Sequence, residues 1–469
     1  MLEAKYIIFF AGSIICVPIG ILLAISSRRI HDFVFIFLVF GTSMPAGLMG
    51  FPTDINFLSR EWYRGTTVGV EISYLDLLAV ILLVSSIFVR QRERKPFFWP
   101  PSLALLLVYF VWCALNVAVF SDPKIFGLFE LTKIARAILL FVAVCAYIRS
   151  PREIHVFVWA LVIMVFYEAF VSIRDRYAYG VHRVRGTLAH PNSLSMYCLQ
   201  CVPIFVATFF ARDISKALRI ACVLAYVAAA GCILLSISRT GFAALALLSA
   251  ISFALCTGFR LTPRNLGLAT LGIVLMGFML IKSYDTVMER LGGFDFAQEY
   301  MTDEGDRGSY FRQAAPALAH KPLAGVGLNN WSWWITNRYA QEAGYYLTTE
   351  KQPIIHYTTT YSPREGNGQF PPAHNLYLLT ATEIGIPGLL LMSAFLLQSL
   401  WLGASALFKS REQTVNLVGT GAFLSLVGIM MQSFTEWGFR QTSMYFLGHI
   451  IMGVAATLYY YRNRADHRG

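Results

Sequence analysis

His374 stands where a polar stretch of the chain meets an apolar one, in the run Pro371-Pro372-Ala373-His374-Asn375. The two prolines fix the incoming backbone, and the pattern predicts a helix that begins near Asn375. The positive end of a helix dipole disfavours an imidazolium and favours the neutral ring, which can accept a proton. His374 is therefore a candidate general base, and a purely structural histidine is the alternative.

Four arginines are candidate ligands for an anionic group: Arg185 before an apolar run, Arg239 in a short turn between two such runs, and Arg307 and Arg312 in the polar stretch. At a membrane boundary a guanidinium must reach lipid headgroups or bind an anion, and its planar donors match paired phosphate oxygens. Arg307 and Arg312 are five positions apart in a helix predicted over 306–319, so at most one points into a given site. For Arg185, a loop resting near lipid headgroups is the alternative.

The same predicted helix has an apolar face formed by Phe311, Ala315 and Leu318. Gly325 and Gly327 follow it and permit a close approach of another backbone. A single Gly-X-Gly is weak evidence for a phosphate-binding loop.

Aromatic residues fill the second half of the polar stretch, among them Trp331 and Tyr339. Such rings pack on sugar rings and also form belts at membrane interfaces. Before the seventh apolar run, Asn192 or Ser193 is expected to cap the helix that follows.

These residues belong to a chain of 469 residues that is 56% hydrophobic and 14% charged, with a mean hydropathy of +0.56. Such apolarity is typical of multi-span membrane proteins, and a spanning helix needs ~20 apolar residues. The predicted fold is an all-α polytopic membrane protein with twelve or thirteen transmembrane helices, twelve if the first run or 31–50 is only interfacial. The candidate runs are 6–25, 31–50, 74–90, 101–120, 133–149, 154–173, 191–211, 218–236, 239–257, 263–281, 376–408, 413–433 and 441–461.

Lys and Arg gather at alternate connections, for example at 90–95, 149–152 and 212–219, which predicts that these connections are cytoplasmic. The predicted organisation is a transmembrane bundle over 1–281, a large extracytoplasmic loop over 282–373 and C-terminal transmembrane helices over 374–469. The candidate arginines and His374 then share the extracytoplasmic side.

Several function classes are disfavoured. The net charge of +11 is mostly topological and argues poorly for nucleic acid. No histidine or carboxylate pattern has metal-ligand spacing and no nucleotide-binding glycine motif occurs, so no metal or cofactor is predicted. All eight cysteines lie in apolar runs, and the pair Cys198 and Cys201 is interpreted as core packing.

Four motifs occur in a fixed order on the predicted extracytoplasmic side, over roughly residues 185–390. Together they resemble the O-antigen ligase/polymerase superfamily of GT-C-type membrane glycosyltransferases, although Phe311 stands where that family usually has Trp. The motifs are Gly186-Thr187-Leu188-Ala189-His190-Pro191-Asn192, Ser236-Ile237-Ser238-Arg239-Thr240-Gly241, Arg307 to Phe311 with Pro322-Leu323-Ala324-Gly325-Val326-Gly327, and His374-Asn375-Leu376-Tyr377-Leu378 with Glu383-Ile384-Gly385-Ile386-Pro387-Gly388.

The resemblance implies transfer of a glycan from undecaprenyl diphosphate to an acceptor hydroxyl at the periplasmic face of the bacterial inner membrane, without nucleotide or metal. It implies that His374 is the general base of an inverting reaction and that arginines such as Arg239 and Arg307 bind the diphosphate. An O-antigen ligase, with lipid A-core as acceptor, is the preferred interpretation. Residues 338–372 resemble a family-variable insertion, which leaves the acceptor open.

The alternatives within the family are a polymerase that extends a growing glycan, and a protein O-oligosaccharyltransferase. From a different class, a polytopic transporter would carry charges along a path through the membrane. Asp76, Arg136 and Glu168 are the candidates for such a path, and they form no series.

Overall fold

The computed structural model describes residues 2–45, 47–48, 51–52, 54–94, 99–260, 262–282, 308–340, 342–343, 369–409 and 413–465. Helices dominate this part of the chain. They are α1 (Leu2–Ser26), α2 (Arg28–Gly41), α3 (Tyr74–Arg92), α4 (Pro101–Val119), α5 (Lys124–Tyr147), α6 (Pro151–Tyr177), α7 (Pro191–Leu199), α8 (Val202–Phe210), α9 (Lys216–Ser236), α10 (Arg239–Thr257), α11 (Pro263–Lys282), α12 (Gly308–His320), α13 (Trp331–Trp334), which continues as a π-helical turn (Ile335–Tyr339), α14 (Leu376–Lys409), α15 (Gln413–Gln432), a 3-10 turn (Gly438–Arg440) and α16 (Thr442–Ala465).

The predicted all-α polytopic membrane fold is confirmed. Ten helical segments in the described residues are long and apolar enough to cross a membrane, with α7 and α8 counted as one. Two more helices have the length to span, α5 with 24 residues and α11 with 20.

The sequence leaves open whether the second apolar run, 31–50, spans the membrane or is only interfacial, and the length of its helix argues against a span. Its helix α2 has 14 residues, which gives a length of about 21 Å, short of a bilayer's hydrocarbon core. The chain then forms two short antiparallel hairpins that the sequence pattern did not predict. Their strands are β1 (Gly47–Leu48) with β2 (Phe51–Pro52), and β3 (Asp54–Phe57) with β4 (Val70–Ser73).

The described part of the large loop packs on one end of the helix bundle, here called the loop end. It has its own small core, which includes Ala314, Ala317, Trp331 and Tyr339. The predicted helix is present as α12, but its buried face is not the predicted one, since Phe311 is 56% exposed. Small alanines allow α12 to approach its neighbours closely, and this turns the large ring of Phe311 outward.

Helix α14 is interrupted about one quarter of the way along, where Ile384 and Gly385 leave helical geometry. The segment that follows α12 lies against this interruption. Its amides at Val326 and Gly327 donate to the carbonyls of Thr382 and Glu383 at 2.9 and 2.8 Å. The freed carbonyls of a broken helix are thus satisfied by another part of the chain.

Glycine is required at this junction. Gly325 has φ +68°, and a Cβ there would lie 2.4 Å from the backbone oxygen of Glu383. Gly385 has φ +74°, and its Cβ would lie 2.0 Å from the carbonyl oxygen of Leu323. The close backbone approach predicted from the Gly-X-Gly is therefore made to α14.

A buried ion-pair network lies beside this junction. The Arg440 guanidinium donates to Glu130 of α5 at 2.8 Å and to Glu383 of α14 at 2.9 Å. All three side chains are at most 4% exposed. Arg440 belongs to the short connection between α15 and α16, so its ion pairs tie that connection to two helices.

Lys133 and two threonines complete the network. The Lys133 ammonium lies 2.7 Å from Glu130 and donates to Thr67 at 2.8 Å. The Thr66 hydroxyl lies 2.8 Å from Glu130 and 2.9 Å from the amide oxygen of Asn329, and it can donate its one proton to either acceptor. Two cations therefore face two carboxylates, and the threonine hydroxyls add hydrogen bonds to these ion pairs.

We predict that Arg440→Gln strongly destabilises the protein, because it leaves two buried carboxylates without their shared cation. Breaking a buried ion pair from one side costs about 3–5 kcal/mol. Thermal unfolding in detergent measures the loss. The control is Arg28→Gln, since the Arg28 side chain is 52% exposed in its pair with Glu153 and should contribute about 0–1 kcal/mol. Equal small effects of both substitutions would contradict the prediction.

Candidate functional site

A large cavity of about 1240 Å³ opens at the loop end. Its walls come from the end of α6, the segment before α7, the residues before α14 and the connection between α15 and α16. The polar and charged side chains that line it include Glu71, Arg174, Arg185, His190, Asn192, His374, Glu436 and Gln441. Parts of the chain far apart in sequence thus contribute to one polar space.

His374 faces this cavity and is held by a carboxylate. Its Nδ1 lies 2.8 Å from an oxygen of Glu436, whose side chain is 5% exposed against 31% for His374. Because an ionised carboxylate only accepts hydrogen bonds, Nδ1 carries the proton and Nε2 is the nitrogen with the lone pair. This is the arrangement of a base that a buried acid orients.

The backbone and a ring fix the position of His374. The amide of Leu376 donates to the carbonyl of Ser433 at 2.9 Å, which joins the start of α14 to the end of α15. The Tyr310 ring of α12 stacks on the imidazole with centroids 5.5 Å apart. The loop therefore covers one face of His374 and leaves part of its edge open to the cavity.

Glu436 is in turn held from the other side. The Asn192 amide donates to its second oxygen at 2.7 Å, and Arg183 donates both to Asn192 and, at 2.9 Å, to the carbonyl of Ser236. A hydrogen-bonded chain thus runs from Arg183 through Asn192 and Glu436 to His374. Both carboxylate oxygens are used, so the orientation of Glu436 is fixed.

The helix cap before α7 differs from the prediction. His190, and neither Asn192 nor Ser193, is the N-cap, and its Nδ1 accepts the Asn192 amide proton at 3.2 Å. Partial burial and the nearby Arg183 guanidinium lower the pKa of His190 below its ordinary value, which favours the neutral ring that can accept. The Asn192 side chain is thereby available to bond Glu436.

Arg185 is exposed and lines the cavity from the turn before α7. Gly186 has φ +58° in this turn, and a Cβ there would lie 2.3 Å from a carboxylate oxygen of Glu168. That carboxylate, buried in α6, accepts the Thr187 amide at 3.0 Å and the Thr187 hydroxyl. Glu168, a candidate for a transport path in the sequence, thus anchors the turn that presents Arg185.

The other two charges considered for such a path pair locally as well. Arg136 donates to Asp76 at 2.9 Å and to Glu71 at 3.2 Å. Asp76 also accepts the Ser73 amide at 2.7 Å as part of a capping box at the start of α3.

The remaining predicted arginines have different positions. Arg239 is half-buried at the first position of α10, and Arg312 is half-buried on α12, two positions after Tyr310. Neither is among the described residues that line the cavity. Arg307 lies outside the described residues, as does most of the predicted 338–372 insertion.

The turn that carries Arg239 is nevertheless joined to the site. Val184 donates to the carbonyl of Leu235 at 3.2 Å, and Arg183 bonds Ser236. A Cβ at Gly241 would lie 2.0 Å from the hydroxyl oxygen of Ser195 on α7. The Ser-X-Ser-Arg-X-Gly motif therefore packs directly against the segment that presents Arg185.

Two aromatic residues in the described part of the loop, Trp331 and Tyr339, belong to its own core. Trp331 is 1% exposed, and its indole donates to the Pro371 carbonyl at 2.9 Å. Tyr339 is also buried. Trp331 therefore holds the proline pair in front of His374, and its ring faces are not presented to a sugar.

Sequence reasoning missed two residues of this site. Glu436 was not considered, although it is an acid on the predicted extracytoplasmic connection between the last two spans. Asn192 was considered only as a helix cap. The signal that could have found Glu436 is a carboxylate placed between apolar helices on the same side as a candidate base.

Residues 224–393 match the family model described as O-antigen ligase. No curated protein matches the chain. The matched region includes Arg239, the described part of the loop, His374 and the first half of α14 with its interruption. This match supports the O-antigen ligase/polymerase superfamily that the motifs predicted, and the ten candidate spans support a multi-pass membrane protein.

We predict that Glu168→Ala loosens the turn that presents Arg185, because the Thr187 amide and hydroxyl lose their shared acceptor. The Thr187 amide should exchange its hydrogen faster, and hydrogen exchange over 183–190 followed by mass spectrometry measures this. The matched control is Ile173→Ala on the exposed side of α6. Unchanged protection of the turn in Glu168→Ala would refute its anchoring by Glu168.

Proposed function

We propose that this protein transfers a glycan from undecaprenyl diphosphate to an acceptor hydroxyl at the periplasmic face of the bacterial inner membrane. The most specific form of this proposal is that the protein is an O-antigen ligase with lipid A-core as the acceptor. The observation that carries the proposal is the hydrogen-bonded pair of His374 and Glu436 in a cavity that also contains Arg185. The family match over 224–393 supports the class of reaction.

In the proposed step, the acceptor hydroxyl gives its proton to Nε2 of His374 while its oxygen attacks the anomeric carbon of the donor. The new glycosidic bond forms as the bond between the anomeric carbon and the diphosphate oxygen breaks. The configuration inverts, and undecaprenyl diphosphate leaves with the electron pair. Glu436 stabilises the imidazolium that results.

The leaving diphosphate needs positive charge near the cavity. Arg185 is the first candidate because its exposed side chain lines the cavity. Arg239 and Arg307 join the proposed set on the strength of the family motifs, and Arg312 joins it as a further arginine of the loop. Guanidinium groups offset the charge that develops on the leaving oxygen, so the proposal requires neither metal nor nucleotide.

In the proposed organisation, helices of 1–281 and 374–469 form the frame of the cavity. The loop 282–373 covers the cavity on the periplasmic side. Glu383 and the motif glycines have a structural part in this scheme, because they join the loop to α14. The proposed chemistry is then assigned to His374, Glu436 and the arginines.

The function is tested with purified protein, an undecaprenyl diphosphate-linked glycan, and either lipid A-core or no separate acceptor. Glycosylated lipid A-core identifies a ligase, whereas a ladder of lengthened chains on the carrier identifies a polymerase. Absence of both products under conditions where the protein is folded would count against glycan transfer.

We predict that His374→Ala abolishes transfer while the protein stays folded, since a positioned base contributes about 10²–10⁴-fold. Glu436→Gln, which keeps the shape but loses the charge, should lower kcat by about 10²-fold. Initial rates of glycan transfer measure both effects. His320→Ala is the control, because His320 pairs with Glu342 at 3.0 Å in the exposed part of the loop. Full activity of His374→Ala would eliminate the assigned base.

We predict that Arg185→Ala raises the KM for the glycan donor by about tenfold, the effect of one charge-assisted hydrogen bond. The KM for the acceptor should change much less, and steady-state kinetics with each substrate varied in turn measures the difference. Arg338→Ala provides the control, since Arg338 is exposed on the loop beside Trp334. A comparable rise in both KM values would argue against diphosphate binding by Arg185.

A further inference from the structure

A tryptophan faces the cavity from the connection between α15 and α16. Trp437 lines the cavity, is half-buried, and packs against the small core of the loop. Among the described residues, no side chain or carbonyl accepts its indole N–H and no aromatic ring stacks on it, and the N–H is accessible. Trp437 therefore offers apolar ring surface and one hydrogen-bond donor to the cavity.

The backbone that carries this tryptophan is held firmly. The Arg440 amide donates to the Trp437 carbonyl at 2.7 Å, which closes the 3-10 turn. A Cβ at Gly438 would lie 2.4 Å from the sulfur of Met196, so the connection lies directly on α7. The indole is thus attached at a fixed place beside Glu436, the residue whose carboxylate holds His374.

Gln441 supplies an amide from the same connection. Its side-chain oxygen accepts the hydroxyl proton of Ser193 at the start of α7. The amide nitrogen therefore keeps both of its donors, which are not used by any described residue, and the side chain lines the cavity.

Glu71 adds a carboxylate from β4. One of its oxygens accepts from Arg136 at 3.2 Å, the other accepts nothing from the described residues, and the side chain lines the cavity. Lys133, three residues before Arg136 on the same side of α5, donates to the carbonyl of Arg440 at 2.6 Å. One face of α5 thus holds both β4 and the residue that precedes Gln441.

We propose that Trp437, Gln441 and Glu71 bind the sugar ring of the acceptor that carries the attacking hydroxyl. The C–H groups of a sugar face pack on the indole, and hydroxyls at its edge donate to the carboxylate and accept from the amide. The ring is uncharged and has two neighbouring hydroxyls, because the Glu71 carboxylate repels a phosphate or a carboxylate. The inference rests on the proposed function, and it names the residues that recognise the acceptor.

The geometry of displacement selects the acceptor as occupant. When configuration inverts, the attacking oxygen and the leaving diphosphate lie on opposite sides of the anomeric carbon. The base must therefore lie on the acceptor's side and the diphosphate-binding arginine on the donor's. Since Trp437 directly follows Glu436, which holds the base, a sugar on its indole lies on the acceptor's side.

These three residues lie outside the region 224–393 that matches the family model. Glu71 belongs to a hairpin near the start of the chain, and Trp437 and Gln441 belong to its last described connection. The loop residues Trp331 and Tyr339, which the sequence offered for sugar packing, belong to the loop core instead. Acceptor recognition then depends on segments other than the matched motifs.

The first test is steady-state kinetics of Trp437→Ala with each substrate varied in turn. The KM for lipid A-core should rise about tenfold, because apolar contact with the sugar is lost, and the KM for the undecaprenyl diphosphate-linked glycan should hardly change. Trp437→Tyr, which keeps an aromatic ring, should recover most of the loss. Trp401→Ala is the control, because Trp401 is 56% exposed on α14 and packs on Tyr459. A rise confined to the donor's KM would overturn the assignment to the acceptor.

A second measurement does not depend on an active variant. Wild-type protein is labelled with fluorinated tryptophan, and the fluorine NMR resonance of Trp437 is identified by its absence from Trp437→Tyr. Lipid A-core should shift this resonance, whereas lipid A without core sugars should not. No shift with lipid A-core, or a shift only with the glycan donor, overturns the inference. A shift in protein that transfers glycan to neither acceptor leaves the sugar site standing and refutes the proposed function.

Discussion

The ion pairs of Arg440 with Glu130 and Glu383 are the constraint on which the site depends. These charges can remain buried only while all of them are present and their hydrogen bonds are made. They come from α5, from the interruption in α14 and from the connection between α15 and α16, so satisfying them fixes three distant parts of the chain together. Glu436 lies on that same connection, four residues before Arg440. The position of the proposed acid beside His374 is thus set by a network that has no part in the chemistry.

The site itself is a second, more exposed network. A line of hydrogen bonds passes from the Ser236 turn through Arg183 and Asn192 to Glu436 and His374. Each side chain in this line is hydrogen-bonded to the next, and the result is one tautomer and one orientation of the imidazole. The cavity beside it is lined by apolar side chains of α6, by Arg174 and Arg185, and by polar side chains from the α15–α16 connection.

The family motifs contain residues that join parts of the structure and residues that face the cavity. Gly325, Gly385 and Glu383 bring the loop onto α14, and Gly241 lets α10 approach α7. These residues place the loop end without facing the cavity. His374 and Arg185 do face it, and Asn192 connects the two groups. Residues that look like one reactive set in the sequence therefore include some that only join parts of the structure. For this reason a Gly-X-Gly beside arginines need not hold phosphate.

The sequence alone determined the membrane-spanning helical class and the location of the polar chemistry, because apolar runs of spanning length and a proline-fixed histidine are local patterns. It also indicated the superfamily, because four motifs keep their order. It could not determine that α2 stops short, that Phe311 turns outward, or that Glu168 anchors a turn, since each depends on what packs against the residue. The pairing of His374 with Glu436 was likewise decided only by the tertiary structure. The two residues are 62 positions apart, and they meet because the start of α14 lies beside the end of α15, where the Leu376 amide donates to the Ser433 carbonyl.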